Sequence, residues 1–295
     1  EDKSNLEESI LYIDYADPLR RHNWGHGAWE ANTGFSKDFI DSYLYADGLP
    51  KALTSYPTDD ATIAEEFANR DPRLRQMVLN NEFFADNAAF KGHEIDGDNN
   101  YVTSFCTTGY QTVKGYDPAT GHLGYTLETA DGIAYRYAET LLIYAEAKAE
   151  LGSISQAELD KSINLLRARV GMPKLTETVS FTDPNWPDYG YDLSPILQEI
   201  RRERRIELAG EGFRWNDICR WKAGKLLENP MTYVGKKVTT GNHTDAGYAI
   251  VYPDYTNPDL SIGANSREWD DKMYLMPIPT NELQLNPALE QNPGW

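Results

Sequence analysis

The stretch "ERRIELAGEGFRWNDICRW", residues 203–221, carries charged residues where a packed helix normally carries apolar ones. Counted at helical spacing, one stripe of this segment consists of Ile200, Glu203, Arg204, Glu207 and Leu208. Residues three and four apart share one face of a helix, and that face usually packs against the core. Since three of the five positions are charged, the stretch predicts a helix whose inner face holds ion pairs.

The partners of these charges are expected on an earlier helix. In "IAYRYAETLLIYAEAKAELG", residues 133–152, two glutamates flank Leu142 on one face at spacings of three and four. The predicted ion-pair network consists of Glu139, Glu146, Glu203, Arg204, Arg205 and Glu207, with an arginine of 204–205 meeting a glutamate of the earlier helix. Buried pairs add little net stability, but one left unpaired costs about 3–5 kcal/mol, so they fix the register of the helices. A catalytic carboxylate pair is the alternative.

Two amphipathic helices joined by a short turn are predicted in the middle of the chain. The first spans residues 133–152 and ends at Gly152, and the second spans residues 155–173. This hairpin resembles one tetratricopeptide unit, which can bury its apolar face only against neighbouring helices. With a strand predicted at residues 8–15, the fold class is mainly α with irregular loops and few short strands, on a tetratricopeptide-like helical core incomplete at the N-terminus.

The composition is that of a folded and strongly acidic protein. Of 295 residues, 40% are apolar and 12% aromatic, which is enough for a core. No internal linker is long enough to force a split, so we predict one unit over residues 1–295. The 28 Lys and Arg against 46 Asp and Glu give a formal charge of −18, which argues against a nucleic-acid partner.

Two loops combine aromatic rings with polar neighbours, the pattern of a sugar site. A pyranose stacks its apolar C–H face on an aromatic ring, and tryptophan offers roughly 150–250 Å² of surface. The candidate residues of the first loop, 20–32, are Trp24, Trp29, His22, Asn23 and His26; those of the second, 183–192, are Trp186, Tyr189 and Tyr191. We favour the first loop because two tryptophans five residues apart can form an arc. Local packing of the rings under their own loops is the alternative for both.

Metal and cofactor signals are weak. His22 and His26 have the spacing of two zinc ligands on a helix, but glycines surround them and no third ligand is evident. Asp96, Asp98 and Asn100 form a weak calcium candidate that lacks the glycine and the terminal glutamate of an EF-hand loop. With no nucleophile elbow, phosphate loop or dinucleotide fingerprint either, we predict no metal, no cofactor and no catalytic residue.

Eight pieces of the chain, in order, resemble the SusD/RagB family of Bacteroidota. They are "NLEESIL" (5–11), "YLYADGLP" (43–50), "NRDPRL" (69–74), "TTGYQTVKGY" (107–116), "RYAETLLIYAEAKAELG" (136–152), "INLLRARVGMP" (163–173), "IRRERRIELAGEGFRWNDICRW" (200–221) and "YLMPIPTNELQLNPALEQNPGW" (274–295). The resemblance covers only the family's C-terminal part. It implies a helical core of SusD type, and a lipoprotein signal and further helices upstream of Glu1.

The resemblance also implies a function. A member of this family is a non-enzymatic outer-membrane protein that faces outward, and its only membrane association is an N-terminal lipid anchor, which is not in this chain. It binds oligo- or polysaccharides and delivers them to a TonB-dependent transporter of the SusC type. Two alternatives stay open, a peptide-binding member of the same family and a helical glycoside hydrolase. The hydrolase would need two carboxylates roughly 5–10 Å apart, one of them with a raised pKa.

Overall fold

The computed structural model describes residues 6–25, 34–80, 106–115, 127–238, 247–250 and 267–295. Within these ranges the α-helices are α1 Lys37–Asp41, α2 Ile63–Glu66, α3 Arg73–Met77, α4 Tyr137–Glu150, α5 Gln156–Asp160, α6 Ile163–Arg169, α7 Pro195–Glu207, α8 Arg214–Arg220 and α9 Thr280–Leu285. Short 3-10 helices span Gly224–Glu228, Pro230–Thr232 and Asp271–Tyr274. The predicted class, mainly α with few short strands, is confirmed.

The strands form two small antiparallel sheets. β1 Ser9–Ile13 pairs with β2 Gly132–Arg136, and β3 Val234–Lys237 pairs with β4 Tyr248–Ile250. Because β2 ends at the residue before α4 begins, Arg136 lies at the junction of sheet and helix. The first sheet thus brings the N-terminal residues against the start of α4.

Helix α7 is the element that joins the two largest apolar clusters. It begins with the Ser194 hydroxyl accepting a hydrogen bond from the Leu197 backbone and with a proline in the first position, both typical of a helix start. Ile200 packs with residues of α4, α5 and α6, whereas Ile206 packs with residues of α1, α2 and α3. The charged stripe of α7 is therefore buried together with both cores.

The predicted helical hairpin is present, but residues 133–136 of its first helix belong to β2 instead, and its second helix is interrupted. The segment predicted as one helix over residues 155–173 forms α5 and α6 instead, with a break at residues 161–162. The buried hydroxyl of Ser162 hydrogen-bonds to backbone carbonyl groups of the preceding turn, an alternative to regular helical pairing. None of the described helices is long and apolar enough to cross a membrane.

The two tryptophans at the end of the opening stretch differ in their environment. Their place on or beside a helix, six residues apart, predicts that both pack in the core. Trp221 is 4% exposed and lies against Tyr189, as expected. Trp215 is 40% exposed and contacts the Trp269 ring, so the prediction is wrong for Trp215, because its side of α8 faces solvent.

Candidate functional site

A cavity of about 1050 Å³ lies between the first sheet, residues 22–24, α3 and the C-terminal end of α7. We call it the Trp24 cavity. The lining residues that matter below are Tyr15, His22, Asn23, Trp24, Arg73, Lys114, Gly115, Arg136, Glu139, Arg169, Glu207 and Glu211. Three of the five ligand residues predicted in the first loop therefore meet in one concave site.

The Trp24 ring is both fixed and accessible. Its indole N–H donates a hydrogen bond of 3.2 Å to the Lys114 carbonyl oxygen, yet the residue is 52% exposed. Gly115 has a φ of +80°, and a Cβ on it would lie only 2.5 Å from the indole nitrogen. Glycine is therefore required there on two counts, backbone conformation and close approach of the ring. A ring held in this way offers a preformed stacking surface.

His22 fixes the loop in place. Its Nε2 lies 2.8 Å from the Ala130 carbonyl oxygen, which can only accept, so Nε2 carries a proton. Its Nδ1 lies 3.1 Å from the Trp24 backbone nitrogen and 3.1 Å from the Glu128 carboxylate, which also accepts from the Gly25 backbone. Both ring nitrogens of His22 thus contact protein atoms, which makes it an anchor rather than a free partner for a sugar hydroxyl.

The second half of the predicted arc cannot be placed. His26 and Trp29 lie outside the described residues, as do Asp96, Asp98 and Asn100 of the calcium candidate. Among the residues that the structure does describe, no group of three or more His, Cys, Asp or Glu could hold a metal ion.

The wall of the Trp24 cavity opposite the loop is a set of ion pairs centred on Glu207. This carboxylate accepts hydrogen bonds from Arg73 at 2.9 Å, Arg136 at 2.8 Å and Arg169 at 2.8 Å. Burial by itself would raise the pKa of Glu207, but the three guanidinium groups outweigh it and lower the pKa to about 2. Glu211 is held in the same manner by Arg136 and Lys114, and its pKa is also lowered.

Glu203 and Glu146 lie on other parts of the buried charge system. Glu203, 1% exposed, pairs with Arg73 at 2.6 Å and Arg167 at 2.8 Å. Glu146 accepts two hydrogen bonds from Arg220, at 2.7 and 2.6 Å, and one from the Trp221 indole. Glu146 of α4 and Glu203 of α7 thus have arginine partners on α3, α6 and α8.

The predicted pairing of Arg204 or Arg205 with Glu139 or Glu146 is wrong. Arg204 pairs with Asp217 at 2.9 Å and Arg205 with Asp38 at 2.5 Å. The chain turns at two left-handed glycines between α7 and α8, and the Asp217 carboxylate of α8 accepts the hydrogen bond from Arg204. The partner of Arg204 therefore lies on α8, and the spacing of residues along α7 does not reveal where α8 packs.

Glu139 was predicted to be a buried ion-pair partner, and this prediction is wrong too. The residue is only partly buried, lines the Trp24 cavity and forms no ion pair within the described part of the chain. It lies in the first turn of α4, where the helix dipole favours a negative charge without a partner. All four lysine and arginine side chains that line the same cavity, by contrast, have carboxylate partners. Glu139 is therefore a carboxylate open to a ligand.

The second aromatic loop is tied into the protein by its polar atoms. The Trp186 indole N–H donates to Glu199 at 2.7 Å, and Tyr189 is 7% exposed. The Tyr191 hydroxyl donates to the Trp221 carbonyl oxygen and accepts from Arg201. These rings lie beside a different cavity of about 750 Å³, which Trp186 and Tyr189 line.

Sequence reasoning did not place Tyr15, Gly115 or Arg136 in the Trp24 cavity. Gly115 and Arg136 each lie in a piece that resembles the SusD/RagB family, so a signal was present, but it did not say which cavity they line. Tyr15 packs edge-on against His22 with ring centroids 4.6 Å apart, a contact that no spacing in the sequence suggests. Arg136 enters the cavity from the end of β2, whose position the spacing along the chain does not reveal.

This chain resembles known proteins in sequence and in fold. The chain is 29% identical over 198 residues to SusD-like protein P38 of Formosa agariphila. The aligned region is 65% of this chain and 36% of that protein. A SusD-like carbohydrate-binding protein of Bacteroides fragilis has the same fold, with a TM-score of 0.67 at 24% identity over 96% of this chain and 54% of that one. A second SusD-like protein of that organism gives a TM-score of 0.61 at 24% identity, over 100% of this chain and 55% of the other.

The matches cover most of this chain but only part of each relative. The chain spans about a third to half of the length of these relatives, so it corresponds to one part of them. The model of the SusD family matches residues 9–295, nearly the whole chain. The chain therefore belongs to the SusD family.

Proposed function

We propose that this chain binds a glycan in the Trp24 cavity, without converting it, and delivers it to a TonB-dependent transporter of the SusC type. The observation that carries the proposal is the fixed, half-exposed Trp24 ring, which shares its cavity with Glu139, a carboxylate without an ion pair among the residues that the structure describes. The carbohydrate binding stated for one Bacteroides fragilis relative supports the same assignment.

The chemistry of the cavity suits a sugar. The Trp24 face provides the apolar surface on which the C–H groups of a pyranose stack. Glu139 can accept hydrogen bonds from sugar hydroxyls, and charge-assisted bonds of this kind are stronger than neutral ones. Asn23 lines the same space. A volume of about 1050 Å³ matches the upper end of ligand sites, which span roughly 300–1,000 Å³.

The charges of the cavity argue for binding rather than hydrolysis. A glycosidase needs one carboxylic acid with a raised pKa to protonate the leaving oxygen. The pKa values of Glu207 and Glu211 are instead lowered by their arginine and lysine partners, so both are ionised and already hydrogen-bonded at neutral pH.

The purified chain is expected to bind one or more neutral oligosaccharides in a calorimetric screen and to release no reducing ends from the corresponding polysaccharides. Peptides of similar size serve as the second set of ligands, because a peptide-binding member of the family is the alternative. Turnover that survives repurification and is lost on replacing one carboxylate would show a hydrolase. Binding of peptides without any binding of sugars would show the peptide alternative.

The proposed partner and location follow from membership of the SusD family. We place the mature protein at the outer face of the outer membrane, held by a lipid anchor. A tagged form expressed in its native host is expected to co-purify with a large β-barrel transporter in mild detergent. Recovery of the tagged protein from the outer membrane without any barrel protein would contradict the partnership.

A further inference from the structure

The second cavity, which we call the arginine cavity, concentrates positive charge on an acidic protein. It has a volume of about 750 Å³ and lies between the aromatic loop at 183–189, one face of α7, the start of α8 and the segment 225–232. Its lining includes seven lysine and arginine residues against four aspartates, although the formal charge of the whole chain is −18. Such a local excess raises the concentration of anions at the cavity.

Part of this charge is compensated within the protein. Arg201, Arg202 and Arg205 lie at helical spacing on the α7 face that lines the cavity. They pair with Glu150, Asp183 and Asp38, at 2.9, 2.5 and 2.5 Å. These three arginines form part of the cavity lining, and each is already paired with a carboxylate of the protein.

Three further cations of the arginine cavity have no such partner. Arg214, Lys225 and Arg267 form no ion pair within the described part of the chain. Arg214, the first residue of α8, is partly buried, and the guanidinium of Arg205 is among its neighbours. Burial and the charge of Arg205 lower the pKa of Arg214 to about 10, so it stays protonated at neutral pH. The carboxylates of Asp38 and Asp217 act in the opposite direction, but the pKa of Arg214 stays lowered, so they compensate its burial and the charge of Arg205 only in part. A further anion beside Arg214 is therefore favourable.

We propose that the arginine cavity binds the anionic group of an acidic saccharide, a sulfate ester or a uronate carboxylate, with Arg214 as its principal contact. The planar guanidinium fits an oxyanion through two parallel hydrogen bonds. The proposal rests on the proposed glycan binding and narrows it to acidic glycans.

Two features favour a saccharide over a free inorganic anion. The cavity is of a size that holds a ligand of several rings rather than a single ion. Trp186, whose indole is fixed by Glu199, lines the same cavity and places an aromatic ring beside the arginines. The Trp24 cavity lacks this excess charge, since the lysine and arginine side chains there are paired. The two cavities thus suit different parts of a glycan.

Calorimetry at low ionic strength with four probes tests the proposal. The probes are a sulfated oligosaccharide, the same oligosaccharide after desulfation, an oligogalacturonate and sodium sulfate. We expect at least one acidic oligosaccharide to bind, and Arg214→Gln to weaken its binding by about 10- to 100-fold, the effect of losing a charge-assisted hydrogen bond. Arg214→Lys is expected to retain part of the affinity. Lys161→Gln, which removes the same charge from an exposed site outside both cavities, is expected to change nothing.

The arms of the experiment separate the possible failures. If Arg214→Gln does not fold, Lys225→Gln removes an exposed cation of the same cavity and is expected to weaken binding by several-fold. Unchanged affinity for the acidic probes in these variants, or no binding of any acidic probe, overturns the proposal. Sodium sulfate binding as tightly as the oligosaccharides would show a site for a free anion instead. Neutral oligosaccharide binding, measured in parallel, reports on the Trp24 cavity and is expected to survive Arg214→Gln.

Discussion

Replacing Glu207 by glutamine is expected to lower the free energy of unfolding at pH 7 by about 3 kcal/mol. The folded-state pKa of this carboxyl is about 2 against an ordinary value of 4.5, because three arginines hold it ionised inside the protein. Glutamine keeps the shape but removes the charge. Chemical denaturation or calorimetry measures the loss, which corresponds to a fall in Tm of roughly 5–10 °C for a chain of this size.

The same residue predicts a pH dependence. A carboxyl whose pKa is lowered on folding stabilises the protein above its unfolded pKa, and this contribution is lost as the pH falls. The difference in stability between the natural protein and Glu207→Gln is therefore expected to be full above about pH 5 and to shrink from pH 4.5 towards pH 2. A difference that stays constant across this window would contradict the role of the ionised carboxylate.

Glu139→Gln is the matched control for stability. Glu139 lines the same cavity and lies on a helix, but it forms no ion pair within the described residues. Its replacement is expected to change the free energy of unfolding by less than about 0.5 kcal/mol, as for an ordinary surface position. Equal effects of the two substitutions would show that the ion pairs around Glu207 do not contribute to stability.

Replacing Trp24 by alanine is expected to weaken glycan binding about thirtyfold and to leave Tm nearly unchanged. The affinity falls because a central aromatic contact contributes about 2 kcal/mol or more to binding. Stability changes little because the ring is already 52% exposed and only its indole nitrogen is anchored. Titration of the best neutral oligosaccharide by calorimetry gives both the affinity and the stoichiometry.

Trp215→Ala is the control for this second substitution. Trp215 is 40% exposed and lines neither cavity, so its loss removes a surface tryptophan without touching the proposed site. Trp24→Phe keeps a smaller ring and is expected to retain part of the affinity. Normal binding by Trp24→Ala would mean that the sugar is held elsewhere.

The sequence by itself determined the helices, the family and the first-choice loop. The spacing of residues 200–208 predicted α7 and its charged inner face. The first loop, 20–32, is favoured for its two tryptophans, and its residues 22–24 line the Trp24 cavity. These features are local, so the order of residues along the chain is enough to reveal them.

Only the tertiary structure decided which charges are paired. Glu139 and Glu146 look equivalent on one helical face. In the described part of the chain, however, Glu139 lines a cavity and forms no ion pair, whereas Glu146 is bound by Arg220. The partner of Glu203 on α3 lies 130 residues away in the chain, at Arg73. Spacing fixes which side chains share a face, but contacts between distant elements decide what that face meets. The burial of each charge, and with it the choice between structural ion pair and open site, depends on those contacts.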